Sequence, residues 1–261
     1  MTNRWASSWA RRLRRYADLL DTPGAWYARR RRIPLPLYQF LRRIGLYADI
    51  RTVLDVGANR GQFARWCAAL FPHAVIHAFE PLSGCQAALQ AAAASEPRIR
   101  VHPTALGDHA GRAEMFENDY DPSSSFLPML DRHREISPKT AHARRIEVQV
   151  ATLDEIAQQS SFEPPIFMKL DVQGFELAVL RGAQRTLADT TVVMMEILVE
   201  PLYEGQAGFS EIVGFMDASG FRFLEFVEER RHPPCMTLSY ADAAFLRKGS
   251  ERRPPPQGDS P

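Results

Sequence analysis

The chain has 261 residues, 45% of them hydrophobic and 24% charged, enough apolar material for one large domain with an appended segment. Its 15 Gly and 19 Pro follow no period, and no apolar run approaches the roughly 20 residues of a bilayer-spanning helix, which excludes collagen-like, disordered and membrane-spanning chains. The net charge of +1 is unevenly spread: residues 1–50 hold eleven Arg against Asp18, Asp21 and Asp49, a balance of +8 that leaves −7 for the rest.

In the basic region, Trp5, Trp9, Leu13, Tyr16 and Leu20 are spaced 4, 4, 3 and 4, which gathers them within roughly 80° of helical arc and leaves Arg4, Arg11, Arg14 and Arg15 on other faces. The stripe predicts a helix docked on the main domain. Its alternative is a helix lying in the headgroup layer of an anionic membrane, giving weak peripheral contact at the inner membrane face. No segment resembles a nucleic-acid module, so nucleic acid is not an expected partner. The first residues lack the continuous apolar stretch and the small-residue cleavage site of a secretory leader, and three cysteines without C-x-x-C spacing suit a reducing compartment, so a cytoplasmic location is expected. After a break at Thr22-Pro23-Gly24 and the run Arg29 to Arg32, Leu37, Phe40, Leu41 and Ile44 predict a second helix.

Val53 to Val56 then form an apolar strand that runs into Gly57-Ala-Asn-Arg-Gly61, and a helix follows with Phe63, Trp66, Cys67 and Leu70 inward. Gly57 supplies a conformation closed to residues with a Cβ. Gly61 lets the helix begin close to a ligand whose carboxylate its N–H groups can hold. A dinucleotide site would prefer G-x-G-x-x-G, and here the middle glycine is missing. A second strand, residues 74–79, ends in Glu80-Pro81, where α/β sheets bind ribose hydroxyls. A third, around 99–102, precedes Ala105-Leu-Gly-Asp108. A fourth, 165–170, ends in Asp171-Val-Gln-Gly-Phe-Glu176, a helix is expected from about 174 to 188, and a fifth strand, 191–195, ends in Glu196. The alternation predicts a mostly parallel sheet with helices on both faces and these carboxylates on one rim.

Asp55-Val-Gly-Ala-Asn-x-Gly61, Phe79-Glu-Pro81, Ala105-Leu-Gly-Asp108, Ser123 to Ser125, and Lys169-Leu-Asp-Val-Gln-Gly-Phe-Glu176 followed by Val179-Leu-Arg-Gly-Ala183 together resemble the FkbM family of S-adenosylmethionine-dependent O-methyltransferases, from about Thr52 to Lys248. Asp242-Ala-Ala-Phe245 is similar to the family's closing strand. Gln173 departs from the pattern, since Glu is often found there, so no catalytic role is carried over to it. The resemblance implies an α/β, Rossmann-like class I methyltransferase fold with a seven-stranded sheet. The expected organisation is a basic helical arm over residues 1–50, the methyltransferase domain over 51–249, and a Pro-rich flexible tail over 250–261.

The resemblance also distributes roles over the S-adenosylmethionine cofactor. Asp55 would help hold the ammonium end through the turn of Gly57, Ala58, Asn59, Gly61 and Gln62. Glu80, with Pro81 beside it, would accept the ribose hydroxyls. Asp108 would accept from the adenine amino group with Leu106 against the ring. Asp171 would lie near the sulfonium and serve as general base. Glu196 and His133 are the other catalytic candidates. Between Glu114 and Val148 runs a polar segment of little hydrophobic periodicity that reads as a binding loop or lid. Its Ser123, Ser124 and Ser125, with His232 later in the chain, are the candidate contacts to a hydroxylated acceptor, either a sugar or glycan or a polyketide-like natural product. No metal is expected, because Asp171 and Glu196 lack a third visible ligand. The competing readings are an NAD(P)-dependent oxidoreductase on a similar sheet and a non-catalytic membrane-surface protein that keeps the fold.

Overall fold

The computed structural model describes residues 22–45, 49–232 and 237–250. The amino-terminal stripe from Trp5 to Leu20 and the tail beyond residue 250 lie outside the described residues. Residues 48–251 form one compact unit, and residues 22–45 belong to a second. The second unit contains helices α1 (Ala25–Arg30) and α2 (Leu35–Ile44). α2 starts with Pro36 in its first turn and ends at left-handed Gly45, and it buries Leu37, Tyr38, Phe40 and Leu41. Among the described residues no helix is long and apolar enough to cross a membrane.

The large unit is built on strands β1 (Thr52–Val56), β2 (Val75–Phe79), β3 (Ile99–His102), β7 (Ile166–Leu170), β8 (Thr190–Leu198), β9 (Phe221–His232) and β10 (Thr237–Arg247). They form a seven-stranded sheet in the order β3-β2-β1-β7-β8-β10-β9. The first five are parallel neighbours, and β10 runs antiparallel between β8 and β9. This is the seven-stranded, Rossmann-like arrangement that the family resemblance implies. Every residue of β1 and β7 is buried, as expected for central parallel strands covered on both faces. On one face, Leu54, Met168, Leu170, Met195 and Phe245 pack with Leu153, Leu180, Leu187 and Ile212 of the covering helices. On the other, Phe167 meets the rings of Phe63 and Phe71, at centroid distances of 6.0 and 5.7 Å, beside helix α3 (Gln62–Leu70).

Three differences from the sequence reading have physical causes. The helix expected over 174–188 is two helices, Glu176–Arg181 and Gln184–Asp189, because the chain presses Gly182 against the main-chain oxygen of Gly107, where a Cβ would collide. Glu196 is not past the end of its strand: β8 continues to Leu198, paired with β10 through Ala241↔Ile197 and Tyr240↔Leu198. The polar segment from 114 to 148 is not one long loop. Its ends are strands β5 (Gly111–Asn118) and β6 (Ala143–Ala151), an antiparallel pair that joins β4 (Ala105–Leu106) in a second, three-stranded sheet. Only one face of that pair is covered, so its exposed residues are charged, and Arg144–Glu117 and Arg145–Glu114 ion pairs cross it.

Candidate active site

The site sits where β1, β7, β8 and β10 bring charged side chains to the sheet face opposite the Leu54 cluster. Asp55 is the register partner of Lys169, and Asp242 faces Glu196 on one side and Glu228 on the other. Lys169 is a charged residue inside a five-residue buried strand. Its Nζ lies 2.8 Å from Asp171 Oδ2. Burial alone would lower the ammonium's pKa, but Asp171, Asp55 and Asp242 around it outweigh that and raise it.

The carboxyls divide sharply. Asp55 is fully buried and neither oxygen has a side-chain hydrogen-bond partner, the Ala64 N–H being its only, weak, main-chain donor among the described residues. Burial pushes it up to about 6, against the pull of Lys169 and with a further push from Asp171. Asp171 is also pushed up by burial, but the charge and hydrogen bond of Lys169, with the Gln173 amide, hold it below the ordinary aspartate value. Glu196 goes the other way: burial first, then the charges of Asp171 and Asp242, raise it well above an ordinary glutamate. Asp242 is raised to about 6 mainly by burial.

Gln173 links these groups. Its backbone is left-handed, with φ +54°, and is followed by Gly174 at +93°. The strain carries the amide into the gap between two carboxyls: Nε2 donates to Asp171 Oδ1 at 3.0 Å and to Glu196 Oε1 at 2.6 Å. The Tyr203 hydroxyl lies 3.0 Å from Gln173 Oε1 and 3.1 Å from the Ser123 carbonyl. Ser125 Oγ donates to the Gln173 carbonyl at 2.8 Å. The turn therefore cannot shift without disturbing segment 119–142.

The glycine turn after β1 is tightly built. Gly57 has φ +80°, and a Cβ there would strike the main-chain oxygen of Asp171, so glycine is what lets β1 end flush against β7. Ala58 is buried. Asn59 is left-handed, and its N–H donates to Glu80 Oε2 at 2.8 Å while Leu82 N–H donates to Oε1 at 2.9 Å. Glu80 is buried at the end of β2, and burial pushes it up to about 7 despite those two donors. Two of its four or so lone-pair sites stay open to other donors. Gly61 has a closer structural reason than the sequence suggests: at φ +75° it opens α3, and a Cβ there would press on Leu89. Gln62 is exposed at the first turn of that helix, and Pro81 follows Glu80.

The other expected contacts are differently placed. Leu106 is buried in the Leu54 cluster, and Asp108 is paired at 2.6 Å with exposed His109. Ser124 Oγ accepts from Asn118 N–H and Ser125 Oγ accepts from Leu127 N–H, so with Ser125's bond to Gln173 these hydroxyls hold the segment in place. His133 lies on a short helix, Asp131–Ile136, edge-on to the Tyr203 ring at 5.2 Å. Its Nδ1 is buried without a partner, and burial followed by the charge of Arg134 lowers its pKa. Of His232 only the backbone at the end of β9 is described.

Lys169, Gln173, Tyr203 and Asp242 belong to this cluster and were not among the sequence-derived site residues. A lysine and an aspartate inside otherwise apolar strand runs were a usable signal, because a buried charge needs a partner. Tyr203 carried none.

The Methyltransferase FkbM domain, compared as a family model, matches residues 55–223, which is more than half of the chain and includes the end of β1, the glycine turn, Glu80 and the Lys169–Glu176 motif. The chain belongs to the FkbM methyltransferase family. This FkbM protein is 27% identical over 172 residues to 2-O-methyltransferase NoeI of Sinorhizobium fredii, covering 63% of this chain and 70% of NoeI. It is 27% identical over 193 residues to 31-O-demethyl-FK506 methyltransferase FkbM of Streptomyces tacrolimicus, covering 65% and 72%. Among solved structures, precorrin-6y C5,15-methyltransferase from Geobacter metallireducens GS-15 has a TM-score of 0.45 at 10% identity, covering 82% of this chain and 88% of that one. The protein is thus an enzyme, a methyltransferase, which sets aside the oxidoreductase and non-catalytic readings.

Proposed function

We propose that the enzyme transfers a methyl group from S-adenosylmethionine to a hydroxyl of a sugar, glycan or polyketide-like acceptor. The observation that carries this reading is Asp55: a fully buried carboxylate without a side-chain hydrogen-bond partner, at the end of β1 and beside a turn that needs glycine at position 57. A cationic amino group answers such an anion, and Glu80, with acceptor sites left at the end of the adjacent strand, suits a ribose diol. The names of NoeI and FkbM both put the methyl on oxygen, which supports a hydroxyl acceptor.

When bound, S-adenosylmethionine supplies an activated methyl, so the protein's work is alignment and removal of one proton. Of the two carboxyls bridged by Gln173, Asp171 is spent on Lys169 and the amide and is too acidic to be an effective base. Glu196, raised by burial and like charge, is the more basic of the two and in its ionised form would accept the hydroxyl proton. We assign Asp171 to orientation and Glu196 to the proton. His133, uncharged and beside Tyr203, would line the acceptor side.

Calorimetric titration with S-adenosylmethionine tests the reading. Glu80→Ala should lower affinity by more than a hundredfold, since two charged hydrogen bonds contribute about 3 kcal/mol. Retention of wild-type affinity by a folded variant would remove Glu80 from the site.

A further inference from the structure

Helix α1 is turned inside out. Its buried residues are the two small ones, Ala25 and Ala28, whereas Trp26 is 59% exposed and Tyr27 42% exposed. Only Tyr120 and Val199 join them as exposed large hydrophobics among the described residues. Arg29, Arg30, Arg31 and Arg32 follow directly and are all exposed, and among the described residues none of them is paired with a carboxylate. The Arg29 guanidinium lies 5.6 Å from the Trp26 ring, and that of Arg31 5.7 Å from the Tyr27 ring. Residues 22–45 contain six arginines and no Asp or Glu.

A partner for this surface must offer negative charge in a dense array and an apolar layer just beneath it. An exposed indole and phenol beside four arginines satisfy a bilayer headgroup region, where aromatic rings settle at the polar–apolar boundary and guanidinium groups meet lipid phosphates. A nucleic acid would match the arginines. It would not match the remainder of the chain, which carries −7 beyond residue 50 and sets Glu196, Asp242 and Glu228 side by side on neighbouring strands at the reaction site.

We propose that the surface formed by Trp26, Tyr27 and Arg29 to Arg32 is a docking site for the anionic face of a lipid bilayer. It shares no residue with the carboxylate cluster and is independent of the acceptor's identity. Trp26 and Arg29 to Arg32 are exposed, so replacing them leaves the buried residues Ala25 and Ala28 of α1 in place.

The experiment is cosedimentation of the full-length chain with vesicles of phosphatidylglycerol and phosphatidylcholine, against phosphatidylcholine alone. Wild type should bind the anionic vesicles and not the neutral ones, and 1 M salt should release it as the Debye length falls to about 3 Å. Each arginine near an anionic surface strengthens binding about fivefold. Replacing Arg29, Arg30, Arg31 and Arg32 with Gln should therefore weaken partitioning by a hundredfold or more, and Trp26→Ala with Tyr27→Ala should weaken it as well, with melting curves unchanged in both. Brominated lipid should quench tryptophan emission in wild type more than in Trp26→Ala. Absence of binding to anionic vesicles would overturn the proposal. So would full binding by either set of variants, which would place the contact elsewhere in the chain, or binding of a single-stranded RNA oligomer that depends on these residues in a protein that ignores the vesicles.

Discussion

Lys169 is the buried basic side chain placed among Asp55, Asp171, Glu196 and Asp242, with Arg230 acting more weakly on Asp242, so Lys169→Met probes most of the electrostatic arrangement. Methionine keeps most of the buried stem and removes the charge. Asp171 then loses the partner 2.8 Å away, and Asp55 and Asp242 lose the one nearby charge that lowers their pKa values most. Removing one member of a buried ion pair costs about 3–5 kcal/mol, out of a total stability of some 5–15 kcal/mol. The loss should depend on pH, with a definite sign. Without Lys169 the folded-state pKa of Asp171 rises above its unfolded value, so the folded protein holds a proton that the unfolded chain releases, and stability falls as pH rises through the folded value. One retained proton accounts for up to about 1.36 kcal/mol per pH unit until the folded value is reached. Urea unfolding followed by far-ultraviolet circular dichroism should show the full loss at pH 8 and a much smaller one at pH 5.5. Equal losses at both, or a loss under about 1 kcal/mol at pH 8, would refute the assignment of Lys169 as the cation that keeps Asp171 ionised.

Other expectations concern the same site. Because burial raises Asp55 to about 6 and Glu80 to about 7, and both must ionise to meet a cation and a diol, affinity for S-adenosylmethionine should climb between pH 5 and pH 7, by up to about tenfold per pH unit for each proton released; calorimetry in buffers of different ionisation enthalpy counts those protons. Gly57→Ala should lose about 2–4 kcal/mol, from a left-handed backbone with a Cβ and from pressure on the Asp171 carbonyl, and should weaken cofactor binding too; thermal unfolding with and without S-adenosylmethionine separates the two effects. Gln173→Glu sets a third carboxyl between Asp171 and Glu196, so its melting temperature should fall more steeply than that of wild type from pH 5 to pH 8, whereas Gln173→Leu should lower it without that added slope.

The parts of the fold that the sequence revealed are those where one local rule sufficed. Val53 to Val56 followed by Gly57 could only be a buried strand entering a tight turn, and alternation of strand and helix dictated a parallel sheet. Where the structure departs from the reading, distant contacts decide. Nothing near Gly182 says that the Gly107 carbonyl will press on it and split a helix. Nothing near Glu196 says that β10 will pair beyond it and extend β8. The polar character of residues 114–148 hid two strands because their outer face is solvated and charged, which blurs the alternation that marks a strand. The carboxylates were legible as strand-end acids, but their division into an acidic Asp171 and a raised Glu196 depends on Lys169 and Gln173, whose partners become visible only once β7 and β8 lie side by side.

The join between β5 and β6 has a consequence for how such enzymes diversify. Asn118 and Ala143 are partners in the ladder, so the intervening residues 119–142 leave and return at points about one strand spacing, some 5 Å, apart. An excursion with so narrow a neck can be lengthened, shortened or exchanged between homologues without moving the strands that carry it, provided that its anchors survive, among them the Ser125 hydroxyl on Gln173, the Ser123 carbonyl facing Tyr203 and the main-chain bonds of Pro128 and Leu130 to Glu204 and Leu202. If this segment meets the acceptor, as the proposed function has it, acceptor preference would behave as a transplantable cassette, evolving at a different pace from the sheet beneath it.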